Sequence, residues 1–384
     1  MRNTIARIPF QSFTCLHRQT MATMTRARPS SIRAPSSGSQ SRLKEPPPVE
    51  EPSKIQLMLP IWNPQYVNEG REHSEVAQIP PEQLRAFPIN TLPKPLQTQM
   101  NLVSQPALLA RNFMIEMLQS MAVDTDPIIL DGPARVGKSA TLFQLLSHQY
   151  SLGWMVVYLP NPSSWINGTA PYVRQQDAKY QQPDLAVGII RGILRVNAKT
   201  LEEYPDIESS LKQASTQPES AHEALEAFLA DDSKPETLIA IDQVNSLFAT
   251  SLYKDVNGEA IPASEFRLAS AFRELLRPGV AKKTKNVVVC ATDSSNPRIK
   301  TELMSHYQQL EDDNNVNKLS FTSVQVPSFS KSETETLLRY FADARLTHNV
   351  KYSTALLNKV YATSCGNPGR IVSDMTRFEA VKTW

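Results

Sequence analysis

The sequence predicts an α/β fold in which a parallel sheet is flanked by helices. Five apolar segments of strand length alternate with segments that repeat apolar residues at helical spacing. Right-handed crossovers place such strands parallel to one another. One of the strands leads through a glycine-containing loop directly into a helix, within residues 128–142. Helical patterns after the last strand and a proline-rich segment before the first predict a C-terminal helical lid domain and an extended N-terminal arm.

The loop at 132–139 is the most informative motif in the chain. It reads G-P-A-R-V-G-K-S and matches G-x-x-x-x-G-K-[ST], the phosphate-binding loop of P-loop NTPases. Its glycines let the backbone approach a polyphosphate, its lysine reaches the β- and γ-phosphates, and its serine hydroxyl ligates Mg²⁺. A chance match in a surface turn is the alternative, which the flanking strand and helix disfavour. The predicted nucleotide-binding residues here are Gly132, Pro133, Ala134, Arg135, Val136, Gly137, Lys138, Ser139 and Ala140.

The first 45 residues are predicted to be a mitochondrial presequence. Residues 1–44 hold seven arginines and one lysine but no acidic residue, and they are rich in hydroxyl side chains. A disordered basic tail is the alternative. The rest of the chain holds 32 basic and 38 acidic side chains, a net charge of −6. A body of that charge cannot coat nucleic acid broadly, so any RNA contact is expected to be local.

Residues 46–100 are predicted to be a proline-rich extended arm. Seven prolines between positions 60 and 95 predict neither a helix nor a central strand in this segment. The large aromatic side chains of Trp62 and Tyr66 are expected to be buried against the body or against a partner. The apolar periodicity of A-L-L-A-R-N-F-M-I-E-M-L-Q-S-M then predicts a helix over 107–121.

A nucleotide-binding domain is predicted over 101–327 and the lid domain over 328–384. The strands of the sheet are expected at 128–130, 154–159, 237–242, 286–291 and 322–326. Because the third strand follows the phosphate loop by about a hundred residues, we expect another strand to be inserted between the two in the sheet. Ser330 and Glu333 predict a capping box at the start of a helix. Further helices are expected at 185–196, 219–230, 266–276, about 331–345, about 353–363 and 371–382.

Two strand ends carry further candidate site residues. The strand at 237–242 ends in Asp242, which is predicted to hold Mg²⁺ together with Ser139, although a carboxylate that caps the next turn is the alternative. Gln243 stands where many hydrolytic relatives have a glutamate, and an amide cannot accept a proton from water. No catalytic residue is therefore assigned. The next strand ends in Thr292, Asp293 and Ser294, polar residues at the carboxyl edge of the sheet that could each sense a γ-phosphate or form an ordinary turn.

The composition excludes a membrane partner and argues against a disulfide framework. No apolar run approaches the length that spans a bilayer. Three cysteines are an odd number and have no metal-binding spacing. A cluster of basic residues, in which only Glu274 is acidic, is the best candidate for an anion-binding patch, although a solvated face is the commoner outcome. The cluster comprises Arg267, Arg273, Arg277, Lys282, Lys283 and Lys285.

The order of these elements, with the turn G-N-P-G-R at 366–370, resembles the AAA+ and related signal-transduction NTPases. Within that group the chain resembles the mitochondrial small-ribosomal-subunit protein family that includes death-associated protein 3. The resemblance covers about residues 90–384. It rests on L-D-G-P-A-R-V-G-K-S, V-V-Y-L-P-N with W-I-N-G, L-I-A-I-D-Q-V-N and G-N-P-G-R. It implies that Arg370 is the lid arginine offered to the nucleotide.

The resemblance also implies a function. The chain would be a structural component in the head of the small subunit of the mitochondrial ribosome, in the matrix, holding GTP or GDP with Mg²⁺. Its partners would be ribosomal proteins and small-subunit rRNA, with a contact to the large subunit. The alternative is a turning-over NTPase that acts as a switch or motor, which Lys138, Ser139 and Asp242 keep open, whereas Gln243 favours a held nucleotide. No [NT]-K-x-D motif occurs, so ATP remains open.

Overall fold

Five parallel strands form the centre of the protein. The computed structural model describes residues 57–62, 74–102, 106–121, 126–175, 179–295, 319–344, 346 and 351–380. The predicted presequence, the first part of the predicted arm at 46–56, and Tyr66 lie outside the described residues. The division into a nucleotide-binding domain and a lid domain at residue 327 stays a prediction.

The described chain contains eleven strands and thirteen α-helices. None of these helices is both long and apolar enough to cross a bilayer. The strands are β1 (Glu75–Gln78), β2 (Ala107–Ala110), β3 (Ile128–Asp131), β4 (Met155–Leu159), β5 (Val173–Arg174), β6 (Tyr180–Gln181), β7 (Thr237–Ile241), β8 (Thr250–Lys254), β9 (Ala260–Pro262), β10 (Asn286–Ala291) and β11 (Thr322–Gln325). The helices are α1 (Pro81–Ala86), α2 (Lys94–Asn101), α3 (Asn112–Ser120), α4 (Lys138–Ser151), α5 (Pro183–Val196), α6 (Ala198–Leu201), α7 (Pro205–Ala214), α8 (Ala221–Ala230), α9 (Arg267–Glu274), α10 (Val280–Lys283), α11 (Lys331–Asp343), α12 (Thr354–Ser364) and α13 (Pro368–Ala380).

The central sheet confirms the predicted α/β fold with a parallel sheet of P-loop NTPase type. Its strand order is β11-β3-β10-β7-β4, and every neighbouring pair is parallel. β10 is the inserted strand: Cys290 pairs with Ile129 of β3 on one side and with Ile241 of β7 on the other. This order brings the loop after β3 and the end of β7 to the same carboxyl edge of the sheet.

Helices cover both faces of the sheet, which explains why its strands are continuously apolar. Every residue of β7 and β10 is buried. On one face α4 contributes Leu142 and Leu146 to the core. On the other face α5 contributes Ile190 and α9 contributes Phe272, both fully buried. The sheet therefore has a separate hydrophobic core on each side, and only its edges and strand ends are available for function.

The prediction of an irregular arm followed by a helix over 107–121 was wrong in part. β1 and β2 form an antiparallel pair in which Val76 lies opposite Leu109, and the helix α3 begins only at Asn112. The prolines do not prevent helices, because Pro81 and Pro95 lie in the first turns of α1 and α2, where a backbone N–H has no helical partner. Trp62 is buried, as predicted.

The segments between the predicted elements contain structure that the patterns did not indicate. β5 and β6 form a short antiparallel pair, and β8 and β9 form a hairpin. Three helices, α6, α7 and α10, were also missed. Burial alternates along β8, but the buried positions hold Ser251 and Tyr253 while Leu252 is largely exposed, so the alternation does not appear as an apolar pattern in the sequence.

Half of the predicted anion patch is paired with acidic side chains within the protein. Arg277 contacts Glu274 as expected, but three of the six cations have partners that are distant in the sequence, so the expectation that all of them face only Glu274 was wrong. These contacts are Arg267 with Glu226 (2.7 Å), Arg273 over the ring of Phe248 (4.6 Å), Arg277 with Glu274 (3.1 Å) and Lys282 with Asp126 (3.2 Å).

The C-terminal helices pack against the β1–β2 ribbon through a buried ion pair. Arg111 follows β2 in extended conformation, and its Nε donates to Oε1 of Glu333 in α11 at 2.8 Å. Its Nη2 donates to the carbonyl of Pro327 at 2.9 Å. Glu333 also accepts from the backbone N–H of Ser330, which confirms the predicted capping box. The carboxylate of Glu333 thus caps the N-terminus of α11 and also links this helix to the β1–β2 ribbon.

We predict that Arg111→Met strongly destabilises the protein. The substitution leaves the carboxylate of Glu333 buried without its cation, and breaking a buried pair in this way costs about 3–5 kcal/mol. Arg339→Ala is the matched control, because it breaks the exposed pair with Glu335 on the same helix and should leave the melting temperature almost unchanged. Equal midpoints in urea for wild type and Arg111→Met would contradict the role given to this pair.

Candidate functional site

The predicted phosphate-binding loop joins β3 to α4 in a conformation that requires its glycines. Gly132 and Gly137 have φ values of 136° and 106°. A Cβ on Gly132 would lie 3.3 Å from the carbonyl oxygen of Val326. Gly137 is the residue before α4, so the first N–H groups of that helix lie at the mouth of the loop without helical partners. Such a helix terminus favours an anion.

Lys138 places its ammonium group inside the loop. Nζ donates to the carbonyl oxygens of Gly132 at 2.7 Å and Pro133 at 2.9 Å, and to Oγ of Ser294 at 3.0 Å. The side chain is buried. A phosphate at the mouth of the loop would offer this cation a charged acceptor in place of neutral carbonyls, and charge-assisted hydrogen bonds are the stronger kind.

Asp242 follows β7 and is almost completely buried beside the loop. Burial raises the pKa of its carboxyl group to about 6, the hydrogen bonds from Ser139 and from the backbone of Gln243 oppose that rise, and the charge of Asp293 adds to it. Its Oδ1 accepts the N–H of Gln243 at 2.8 Å, whereas Oδ2 has no hydrogen-bond partner among the described residues. A buried carboxylate oxygen without a partner is costly unless a cation is bound there.

These residues fit a nucleotide with Mg²⁺. The described chain contains no group of three or more His, Cys, Asp or Glu that could hold a metal ion alone. Asp242 and Ser139 would therefore supply only part of a Mg²⁺ shell, and phosphate oxygens and water would supply the remainder, as Mg²⁺ commonly requires. The orphaned Oδ2 of Asp242 is the observation that supports this fit most directly.

Gln243 lies at the same sheet edge in a left-handed conformation with φ of 54°. Its Oε1 is buried without a hydrogen-bond partner among the described residues. The backbone of Gln243 adjoins the predicted metal site, because its N–H donates to Oδ1 of Asp242. Since an amide cannot take up a proton at neutral pH, it can orient water but cannot serve as a general base.

The end of β10 supplies a second group of polar residues. The hydroxyl of Thr292 donates to Oδ1 of Asp131 at 2.7 Å, so its proton is already committed within the protein. The side chain of Asn245 forms two hydrogen bonds of 2.8 Å with the backbone of Asp293. Ser294 donates to the carbonyl of Gly132 at 2.6 Å while accepting from Lys138. Among these, Ser294 has the most direct contact with the loop.

The G-N-P-G-R turn at 366–370 packs directly on the predicted phosphate-binding loop. The amide of Asn367 donates to the carbonyl of Ala134 at 3.0 Å, and the N–H of Gly369 donates to the carbonyl of Arg135 at 3.1 Å. A Cβ on Gly369 would lie only 2.5 Å from Cβ of Arg135. The side chain of Arg370 is exposed and forms no hydrogen bond or ion pair with the described residues.

The structure brings the predicted loop residues, Asp242, Gln243 and Thr292 to one edge of the sheet, with Arg370 on the adjoining turn. Their functional roles stay predictions. Ser294 follows the predicted Thr292 at this edge, and its contact with the loop was not foreseen. The sequence analysis missed three contributors because each acts through a partner that is distant in the chain: Asp131, Asn245 and Asn367. Asn367 could have been singled out, because it lies within the G-N-P-G-R turn.

Comparison with known proteins identifies the family. The sequence profile of the family described as mitochondrial ribosomal death-associated protein 3 matches residues 102–373. A relative from Schizosaccharomyces pombe named small ribosomal subunit protein mS29 is 23% identical over 283 residues, which cover 65% of this chain and 58% of the relative. A protein of the same name from Neurospora crassa is 21% identical over 219 residues, which cover 50% of this chain and 47% of the relative.

The chain spans about half the length of the curated relatives it matches. The profile match covers more than half of the chain and includes the phosphate-binding loop, Asp242 and Arg370. Both the predicted family and the predicted mitochondrial location are confirmed by this match. The chain belongs to the family of mitochondrial ribosomal death-associated protein 3.

Proposed function

We propose that the protein is a structural component of the small subunit of the mitochondrial ribosome and holds a purine nucleotide with Mg²⁺ as a cofactor of its fold. The ribosomal part is supported by the family and by two relatives named as small-subunit proteins. Its partners would then be ribosomal proteins and small-subunit rRNA. The position in the head of the subunit and a contact with the large subunit follow only from the resemblance.

The nucleotide part is carried by one observation, the buried Oδ2 of Asp242, which has no hydrogen-bond partner in the described part of the chain and lies beside the loop of Gly132 to Ser139. A cation at that oxygen, bridged to phosphates on the loop, would satisfy both groups together. We propose GTP or GDP because of the resemblance, and ATP is the alternative, since the described site contains no residue identified as reading the base. Arg370 is proposed to approach the phosphates from the lid.

A turning-over NTPase is the second candidate. It is favoured by the presence of Lys138, Ser139 and Asp242 at one edge of the sheet. It is disfavoured by Gln243, which removes the general base from its usual position and with it a factor of about 10²–10⁴ in rate. We therefore propose that the nucleotide is retained with little or no hydrolysis.

The ribosomal role and the loop are tested together by replacing Lys138. In a density gradient of mitochondrial lysate, wild-type protein should sediment with the small subunit. Lys138→Ala should carry less nucleotide and lose the stabilisation that a ligand gives to the folded state, about 3 kcal/mol at a free concentration 100 times the Kd. Lys199→Ala, at an exposed lysine of α6, is the control.

The two parts of the proposal can fail separately in that experiment. Wild-type protein that never enters the small subunit would overturn the ribosomal role. Nucleotide content and melting temperature that are the same in Lys138→Ala and in wild type would overturn the loop assignment.

Asp242→Asn should change stability and binding in opposite directions. Without nucleotide and Mg²⁺, the variant is expected to be more stable by about 1–3 kcal/mol, because burial of a neutral amide costs less than burial of a carboxylate. With both ligands present, the variant should lose the Mg²⁺ dependence of nucleotide binding. Thermal melts with and without ligands measure both effects, and Glu265→Gln, at an exposed position, is the control. A variant that is less stable in both conditions would show that Asp242 has only a structural role.

Gln243→Glu distinguishes the held nucleotide from the turning-over NTPase. The new carboxylate lies at the position of a general base, so single-turnover hydrolysis should rise by up to about 10²–10⁴ over a very slow wild type. Asp242→Ala is the metal-site control. Rapid hydrolysis by the wild type that disappears in Asp242→Ala would mean that another group acts as the base and that the NTPase function is correct.

A further inference from the structure

We propose that the outer edge of β4 is a docking site for an extended peptide segment of a neighbouring protein, which pairs with the central sheet at Tyr158. The inference rests on the proposed ribosomal function for the source of that neighbour. The site is distinct from the phosphate-binding loop, because it lies along the side of the last strand of the sheet and not at the strand ends.

The backbone of β4 has one side paired and one side open. Met155 donates its N–H to the carbonyl of Glu236 at 3.1 Å, and the carbonyl of Leu159 accepts from Asp242 at 2.9 Å. In a strand, alternate residues direct their backbone groups to the same side. Val156 and Tyr158 therefore direct their N–H and C=O groups away from β7, towards the outside of the sheet.

Only one of these two residues has a partner. The side chain of Asn197 accepts the N–H of Val156 at 2.7 Å and donates to its carbonyl at 2.9 Å, so its amide group takes the place of a peptide unit of another strand. Tyr158 forms no such backbone hydrogen bonds with the described residues. The next residue along that side is Pro160, which has no N–H to donate. On this side of the described strand, the backbone N–H and C=O of Tyr158 are thus left without hydrogen-bond partners.

Tyr158, with its unpaired backbone groups, lines a cavity of about 300 Å³. One wall is α5 and the opposite wall carries Phe87 and Thr91. Gly188 and Gly192 of α5 have open space where a Cβ would be, with no atom within 4 Å. An unpaired backbone donor and acceptor at a sheet edge, facing a cavity with apolar lining, can bind an extended peptide, because backbone hydrogen bonds supply affinity and pockets in the walls supply specificity.

The dimensions and charges of the groove define the peptide. Asp184 and Arg195 lie at opposite ends of the α5 wall, both exposed and about 16 Å apart along the helix. An extended segment of about five residues spans that distance. Its central residue would exchange backbone hydrogen bonds with Tyr158, and an adjacent large apolar side chain would fill the space above Gly188 and Gly192. A basic residue near Asp184 and an acidic one near Arg195 would complete the match.

Hydrogen exchange at the backbone amide of Tyr158 tests the proposal. In the isolated protein this amide should exchange faster than those of Val157 and Leu159, which are directed towards β7. In the small-subunit particle, exchange at Tyr158 should slow by about a hundredfold or more, because the docked peptide supplies an acceptor. Fast exchange in the particle would overturn the docking site. An amide that is already protected in the isolated protein would show that the chain covers its own edge, and would overturn it as well.

Filling the cavity provides the second test. Gly192→Phe should occupy the space reserved for the partner side chain and abolish the protection of Tyr158 in the particle, whereas Gly192→Ala, which adds only a methyl group in open space, should preserve it. Both variants should keep the melting temperature of the wild type or exceed it, because glycine weakens a helix interior. Full protection in a folded Gly192→Phe would overturn the proposal. Wild-type protein absent from the particle would instead refute the ribosomal function, and with it the proposed source of the peptide.

Discussion

The conformation of the loop at 132–137 is the constraint on which the rest of the site depends. Three of its six residues have positive φ, and one of them, Arg135, is not a glycine, which costs about 1–2 kcal/mol. The backbone of this loop is supported from the lid, where Gly369 donates to the carbonyl of Arg135 and Asn367 to that of Ala134. The loop that would hold a nucleotide therefore packs against the C-terminal helical region. The ion pair between Arg111 and Glu333 in turn links that region to the β1–β2 ribbon.

A second constraint is the buried carboxylate of Asp242. Burial raises its pKa, and one of its oxygens has no hydrogen-bond partner among the residues that the structure describes, so its ionised form is unfavourable at the edge of the sheet unless a cation is bound. Such a group is expected where binding a ligand compensates for an unstable arrangement. Gln243 beside it gives the same site a poor general base. Together the two residues favour a nucleotide that stabilises the protein over one that is consumed.

The sequence predicted the parts of the fold that are local and missed those that need distant partners. The strand, loop and helix at 128–142 follow from a motif whose geometry is fixed by its glycines. An inserted strand was predicted, but its stated reason was wrong, because β10 comes after β7 in the chain and not from the hundred residues before Asp242. The segment A-L-L-A has no periodicity that separates a strand from a helix, and only its pairing with β1 decides the matter. Likewise, Asn245 and Asn367 are ordinary loop residues until the fold brings them to the loop. The charges of Arg267 and Lys282 were misjudged for the same reason.

We propose that the protein holds a nucleotide on this loop as part of its folded structure. The most direct test is to denature wild-type protein purified with Mg²⁺ and to identify the released nucleotide by chromatography. We expect a guanine nucleotide in stoichiometric amount, mainly as the triphosphate. A folded protein that releases no nucleotide, and whose melting temperature does not change when GTP or ATP is added with Mg²⁺, would contradict the claim.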